Sequence, residues 1–235
     1  PLATFESPLW PSVNRGARVS VHGSGILGVV TDERMTRSVV VEAADAEHAL
    51  KTGQWLQEHQ HQLADQTSQT SRYCRLLASH IQYVGNLVYI RFEFNTADAG
   101  GHNMVTKAAD RLLHYLLQQD ERLRYVSISA NFCTDKKVSA VNGILGRGQH
   151  VVADLMVPEK ICRRYLKTTP GRMADISIKT NLLGSILAGR LRSANAHVAN
   201  MLLAFYLATG QAAATIVAGS QAVVHCDARG AALYC

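Results

Sequence analysis

No two of the five cysteines, at positions 74, 133, 162, 226 and 235, are spaced as CxxC, and five in 235 residues are too few for a disulfide framework. A reduced, cytoplasmic setting is the expectation. The opening "PLATFESPLW" lacks a basic segment followed by an apolar run, so no secretory signal is expected there. An unbroken apolar run is missing as well. Residues 181–209 are the most apolar stretch, yet they carry Arg190, Arg192, Asn195, His197 and Asn200, which argues against a membrane span. No basic stripe with interleaved aromatics is present, so a nucleic-acid partner is not expected. His59 and His61 in "EHQHQ" sit at i, i+2 and point to different sides of a helix, which does not make a metal clamp. No metal is expected. Internal repeats and low-complexity tracts are also absent.

What is present is an ordinary globular composition, 47% hydrophobic and 18% charged, with a net charge of +6 and a pI near 9.2. The basic balance calls for an anionic partner without naming it. A chain of 235 residues suffices for one large domain or two modest ones.

Periodicity gives an outline. Val39 to Ala43 read as a strand, and "DAEHALKTGQWLQEHQHQLADQ" as helix. "SRYCRLLASHIQYV" reads as a second short helix, "NLVYIRFEFN" as a strand, and "RYVSISA" as a closing strand. "NMVTKAADRLLHYLLQQD" is an amphipathic helix whose stripe is Val105, Ala108, Ala109, Leu112, Leu113 and Leu116. This predicts a compact α+β module with helices on one face of a sheet. Beyond it, "QHVVADLMVP" and "MADISIKT" read as strands and "EKICRRYLKT" as a helix opened by Pro158. Residues 181–209 read as one long helix buried at the centre of a larger domain.

Several stretches carry candidate chemistry. "GSGILG", Gly23 to Gly28, fits GxGxxG in form, but strand-like "VVTDERMTR" follows where the dinucleotide fingerprint needs a helix, so it reads as a glycine turn between strands. In "TADAGGHNMVTKAAD", glycines stand at the threshold of the amphipathic helix. The exposed N–H groups of a helix start favour an anion, and capping by Asp98 or Asn103 is the alternative. His197, beside Asn195 and Asn200, reads as a hydrogen-bonded core histidine or a site residue. "NFCTDKK", residues 131–137, is either a solvated strand end or a place where a lysine beside Asp135 stabilises an oxyanion.

Taken together, "SVNRG", "RMTR", "DAGGHNMVTK", "SANFCTDKK", "VNGILGRGQHVVADLMVPEKICRRYLKTT", "NLLGSILAG" and "NAHVANMLLAFYLATGQ" resemble, in this order, the motifs of hydroxymethylglutaryl-CoA reductase. The CTDKK segment is closer to the eukaryotic-type (class I-like) group. The resemblance implies an α+β / α/β fold: a large substrate domain, residues 1–38 and 129–235, built round a long central helix, with a small ferredoxin-like NADP(H)-binding domain inserted at 39–128. It implies reduction of hydroxymethylglutaryl-CoA to mevalonate and CoA by two NADPH, a step of isoprenoid biosynthesis, in a homodimer or larger homo-oligomer with its site between subunits.

By the same resemblance Glu6 is the catalytic proton donor, with a pKa raised by burial, and Lys136 is a buried ammonium that stabilises the oxyanion. Ser129, Asp135 and Lys137 hold the acid end of the substrate. Ser12, Asn14, Arg15 and Arg37 fall on substrate or CoA positions, and His197 and Asn200 line the site. Asp98, Gly100, Gly101, His102 and Asn103 match the cofactor motif. Ser71 and Arg72 fall where the 2′-phosphate of NADPH is met, which favours NADPH over NADH.

The departures are specific. Ala212 stands where the family has its catalytic aspartate, and a methyl group can neither couple Glu6 to Lys136 nor tune their protonation. Lys179 lies one residue early, and Gly100 and His102 replace methionines common in one class. The family's N-terminal CoA and dimerisation segment would precede residue 1. Its glycine-rich cofactor segment, and the histidine that protonates departing CoA thiolate, would follow residue 235. Little turnover is therefore expected of these residues alone, and a non-catalytic relative that binds a CoA ester or NADPH is the alternative.

Overall fold

The computed structural model describes residues 1–235. Helix α1 (Leu9–His22) precedes the long strand β1 (Leu27–Glu42), helices α2 (Ala46–Glu58) and α3 (Gln60–Ser68), and strands β2 (Arg75–Val84) and β3 (Leu87–Asn95). Helix α4 (His102–Gln119), strand β4 (Arg124–Ser127), helix α5 (Ala140–Leu145) and strands β5 (Gly148–Asp154) and β6 (Met156–Pro158) follow. Helix α6 (Glu159–Ile161) runs into a π-helical turn, Cys162–Leu166. Helix α7 (Pro170–Ile176) continues through a π-helical segment, Ser177–Leu183, into α8 (Gly184–Leu187). The chain closes with α9 (Val198–Ala208), α10 (Ile216–Gly219) and the hairpin β7 (Asp227–Arg229) and β8 (Ala232–Tyr234). It divides into two compact units, one of residues 31–135 and 144–150, the other of residues 1–30, 136–143 and 151–235.

In the first unit the strands lie in the order β2-β3-β1-β4, each neighbour antiparallel, and β5 also pairs with β1. Strand alternation gives this sheet two different faces. Val39 and Val41 of β1 and Val88, Ile90, Phe92 and Phe94 of β3 join Leu56, Leu63 and the whole α4 stripe in one hydrophobic core. Each of these buried aliphatic side chains contributes about 1.5–3 kcal/mol. On the opposite face, Ser38 pairs with Arg91 and Thr36 with Glu93, and all four are buried. A polar layer thus lies behind an apolar one. Helix α2 starts where Asp45 accepts a hydrogen bond from the His48 N–H at 2.8 Å, a side-chain cap.

The segment expected as a second short helix, residues 71–84, is strand β2 instead. Gly85, at φ +60°, makes a two-residue turn that places Val84 opposite Leu87 and Ile81 opposite Ile90. The apparent helical spacing of Leu76, Leu77 and Ile81 arises from a bulge between Leu76 and Ala78 that turns Leu77 outward. "GSGILG" leads into β1 rather than a helix, but it comes from α1, so the turn expected between two strands joins a helix to a strand.

In the second unit β8 lies between β6 and β7, antiparallel to both. A smaller apolar cluster of Val19, Val157, Cys162, Cys226 and Leu233 packs beneath them. "MADISIKT", expected as a strand, is helical: Thr169 accepts from the Arg172 N–H at 3.3 Å, and Pro170 occupies the first helical position. That Thr-Pro pair is a helix-start signal that outweighs the alternation after it. The single long helix expected at 181–209 is also corrected. Helix α8 ends at Leu187, the chain turns through Gly189 (φ +64°) and Arg192 (φ +46°), and α9 begins only at Val198. Neither helix is a buried centre of this chain, since Leu187 is 89% exposed and Ile186, Met201, Phe205 and Leu207 are also in solvent.

Candidate functional site

Within the first unit, residues 130–135 close over the polar face of the sheet. Asn131 and Thr134 adopt left-handed conformations, φ +58° and +46°. For a β-branched residue such as Thr134 this is a strained geometry that the surroundings must impose. They do so through buried polar groups on the sheet. Ser38 Oγ accepts from the Cys133 N–H at 2.9 Å, and the Thr36 hydroxyl donates to the Cys133 carbonyl at 3.4 Å. Arg91 donates to the Phe132 carbonyl at 3.2 Å and to the Gly146 carbonyl at 2.6 Å. Burial opposes ionisation of the Cys133 thiol, but the Ser38 hydroxyl and two backbone donors outweigh it and draw the thiol below its usual range.

Arg91 is fully buried and is held in turn by Glu93, whose Oε1 lies 3.1 Å from Arg91 Nε. Glu93 Oε2 accepts from Arg34 at 2.6 Å, and Arg34 also forks onto both carboxylate oxygens of Asp32 at 2.6 and 2.7 Å. Asp32, through its hydrogen bond to Arg34, is held below the usual carboxylate range. Gly146, at φ +88°, is required here because a Cβ would lie 2.5 Å from Asp32 Oδ2. The adjacent Arg147 donates to Asp135 Oδ1 at 2.7 Å, and His102 Nε2 stands 3.9 Å from the same oxygen. The glycine-turn motif and the CTDKK loop therefore meet at Asp135. Arg37 Nε, on β1, is buried without a hydrogen-bond partner, an unmet donor of the kind that an anionic ligand satisfies.

The glycine turn has the geometry of an open helix start. Gly101 precedes α4 at φ +74°, and no side chain caps the helix, neither Asp98 nor Asn103. A Cβ on Gly101 would lie 2.6 Å from Thr96 Cγ2, whereas Gly100 faces open space. Asp98, Gly100, His102 and Asn103 are exposed. Ser71 Oγ accepts from the Tyr73 N–H at 3.2 Å, and the exposed Arg72 lies over the Tyr73 ring with one guanidinium nitrogen donating to the Tyr73 hydroxyl. Ser129 is exposed and bonded locally to Ser127.

The second unit holds the remaining candidates. Glu6 and Lys136 are both exposed, so the burial expected for each is not met in this chain. Lys136 is itself left-handed at φ +56°, the third such residue of its loop. Ser12, Asn14 and Arg15 share α1, with the latter two in solvent. Lys137 is exposed. His197 is no core histidine: it is exposed and precedes α9, beside an open cleft of about 510 Å³ that Val138, Gly189 and Ser193 also line. Asn195 is the buried polar residue there. Its Oδ1 accepts from the Val198 N–H at 3.1 Å and its amide donates to the Ala222 carbonyl at 2.9 Å. Asn200 is exposed on the first turn of α9. Ala212 offers only a methyl group, its carbonyl being taken by Thr215 at 2.6 Å.

Arg34, Arg91, Glu93 and Arg147 did not emerge from motif reading. The signal was present in "YIRFEF", where two opposite charges at i, i+2 interrupt an apolar strand on one face.

The sequence profile of the family described as hydroxymethylglutaryl-coenzyme A reductase matches residues 1–235. A protein of that name from Pyrococcus horikoshii is 40% identical over 224 residues, 95% of this chain and 54% of its own length. Another from Methanothermobacter thermautotrophicus is 40% identical over 235 residues, covering all of this chain and 59% of its own length. The sea urchin protein, from Strongylocentrotus purpuratus, is 38% identical over 232 residues, 98% of this chain and 25% of its own. The chain thus spans about half the length of the archaeal relatives. Among solved structures, a class II reductase from Streptococcus pneumoniae described as bound to NADPH superposes with a TM-score of 0.76 at 14% identity, over all of this chain and 64% of that one. At that identity the likeness establishes a shared mixed α/β fold. With the profile matching residues 1–235 and relatives 40% identical over nearly all of it, this chain belongs to the hydroxymethylglutaryl-coenzyme A reductase family.

Proposed function

We propose that this chain carries the substrate and cofactor machinery of an enzyme that reduces hydroxymethylglutaryl-CoA to mevalonate and CoA, consuming two NADPH. The observation that carries this reading is the loop at 131–136. It holds three left-handed non-glycine residues and is clamped through Arg91 by a buried ion pair. Strain of this kind persists where a site requires it.

In this reading the ammonium of Lys136 stabilises the negative oxygen that develops as the thioester carbonyl is attacked, first to a hemithioacetal and then, through the aldehyde, to the alcohol. Glu6 supplies the proton to that oxygen. Asp135, oriented by Arg147, acts with Lys137, Ser129 and Arg37 on the hydroxy-acid end. Ser12, Asn14 and Arg15 lie toward CoA, with His197 and Asn200 lining the pocket. Bound NADPH supplies the hydride. The uncapped start of α4 with Gly100 and Gly101 fits its pyrophosphate, flanked by Asp98, His102 and Asn103. Arg72 with Ser71 fits the 2′-phosphate. The strand and helix order of the first unit, β-α-β-β-α-β with the α position broken into α2 and α3, supports a ferredoxin-like cofactor domain. Leu187, Phe205 and Leu207, exposed on α8 and α9, support a homodimer in which a second subunit covers them. The CTDKK sequence supports a class I-like assignment.

Ala212 favours one alternative, a relative that binds a CoA ester and NADPH without turnover. Mevalonate- and CoA-dependent reduction of NADP⁺ by the full-length protein separates the two. Turnover that disappears in Lys136→Ala supports the reductase, and failure to turn over even with Ala212→Asp in place overturns it.

A further inference from the structure

The β7–β8 hairpin brings together two cysteines that the reductase reading does not use. Cys226 immediately precedes β7 and Cys235 immediately follows β8. Gly230, at φ +58°, allows the tight turn between the strands. The pairing of Asp227 with Tyr234 then sets the two cysteines opposite each other at the open end of the hairpin. Their sulfurs are 2.8 Å apart and both are free thiols. Cys235 is anchored by reciprocal backbone bonds to Leu155, 2.9 and 3.1 Å. Both side chains belong to the apolar cluster of Val157, Cys162 and Leu233, where Cys226 is 6% exposed and Cys235 half-buried.

We propose that Cys226 and Cys235 form a reversible disulfide, a modification site whose oxidant is a small hydroperoxide. The two thiols differ in character. The Cys226 thiol is lowered to about 7, chiefly by the hydrogen bond from Cys235 and, against its burial, by the Ser177 hydroxyl. Cys235 is pushed up by the same contact and by burial, so it keeps its proton. The Cys226 thiolate attacks the O–O bond of the hydroperoxide, gaining an oxygen as a sulfenic acid and expelling hydroxide, or alkoxide, which takes a proton from water. Cys235 sulfur then attacks Cys226 sulfur. The S–O bond breaks, the Cys235 proton leaves with the departing hydroxide as water, and the S–S bond forms. Two thiols have lost two electrons and two protons, and the peroxide has been reduced to water and water or an alcohol. A hydroperoxide suits this site because it is small enough to reach a nearly buried sulfur.

The test is differential alkylation of the full-length protein before and after hydrogen peroxide, with mass mapping of Cys74, Cys133, Cys162, Cys226 and Cys235. The expected result is selective loss of two thiols, Cys226 and Cys235, recovery of a peptide joining them, and return of both by dithiothreitol. Cys235→Ser is expected to leave Cys226 as a sulfenic acid trapped by dimedone. Persistence of both thiols while Cys74 or Cys162 oxidises, a cross-link to Cys162, or oxidation of Cys226 to sulfinic acid with Cys235 untouched would overturn the proposal.

Discussion

Replacing Glu93 by Gln removes one charge from the layer beneath the CTDKK loop and leaves its shape almost unchanged. Glu93 and Arg91 are fully buried, and Glu93 also receives Arg34 at 2.6 Å. His80 Nε2 lies 3.4 Å away without hydrogen-bond geometry. The amide places an N–H₂ donor against guanidinium donors and leaves Arg91 without its counter-charge. Breaking one side of a buried pair costs about 3–5 kcal/mol. Arg91 still reaches two carbonyls, and Arg34 keeps Asp32, so the lower end, about 3 kcal/mol, applies. That is a shift of about 150-fold in the folding equilibrium. With a urea slope of about 2 kcal/mol/M, the midpoint falls by about 1.5 M. Removing both charges as Arg91→Met with Glu93→Leu is expected to cost more than the single change, because the Phe132 and Gly146 carbonyls then lose their buried donor as well. Urea unfolding followed by far-ultraviolet circular dichroism measures all three proteins. A fall of less than about 0.5 M for Glu93→Gln, equivalent to about 1 kcal/mol, would show that Arg91 does not depend on this carboxylate.

Gly101→Ala is expected to destabilise the first unit by about 1–2 kcal/mol through its left-handed φ and the Thr96 contact, whereas Gly100→Ala leaves the urea midpoint nearly unchanged. Both are expected to weaken NADPH binding about tenfold or more in a fluorescence titration, and an unchanged affinity for Gly100→Ala would move the pyrophosphate away from this turn. Arg72→Ala is expected to lose at least about tenfold in NADPH affinity and little in NADH affinity; equal losses would remove its 2′-phosphate role. Asp120 is held well below the usual carboxylate range, first by hydrogen bonds from Arg122 and also by His48. A depressed carboxylate stabilises the fold above its unfolded value, and that contribution is lost as pH falls through the folded value. Asp120→Asn is therefore expected to lower the denaturation midpoint at neutral pH, with the gap narrowing below pH about 4. A gap that widens on acidification would contradict it.

The first unit was largely legible in sequence because its long elements have clean periods. The α4 stripe from Val105 to Leu116 is buried as read, and the glycine threshold before it is the helix start. Residues 71–84 misled because a one-residue bulge gives a strand a helix-like spacing. The second unit was harder. "MADISIKT" alternates like a strand, but Thr169 and Pro170 fix a helix start, and the π-helical stretch after it follows no 3.6-residue pattern. The apolar character of residues 181–209 reads as burial, while Leu187 and Phe205 lie in solvent; composition records that a surface is apolar and not what covers it. Motif order fixed the candidate residues, but not what holds them. The grip of Arg91 on Phe132 and Gly146 joins residues 41 and 55 positions apart, a long-range bond that no local pattern encodes.

In the proposed reductase site, Glu6 and Lys136 lack the coupling carboxylate whose place Ala212 takes. The direct measurement is the stoichiometry of NADPH oxidation and CoA release on hydroxymethylglutaryl-CoA by the full-length protein, with and without Ala212→Asp. Slow turnover is expected of the parent. Restoring the carboxylate is expected to raise kcat at least about 100-fold, with two NADPH oxidised per CoA released. An Ala212→Asp protein that binds both ligands and oxidises no NADPH would contradict this expectation.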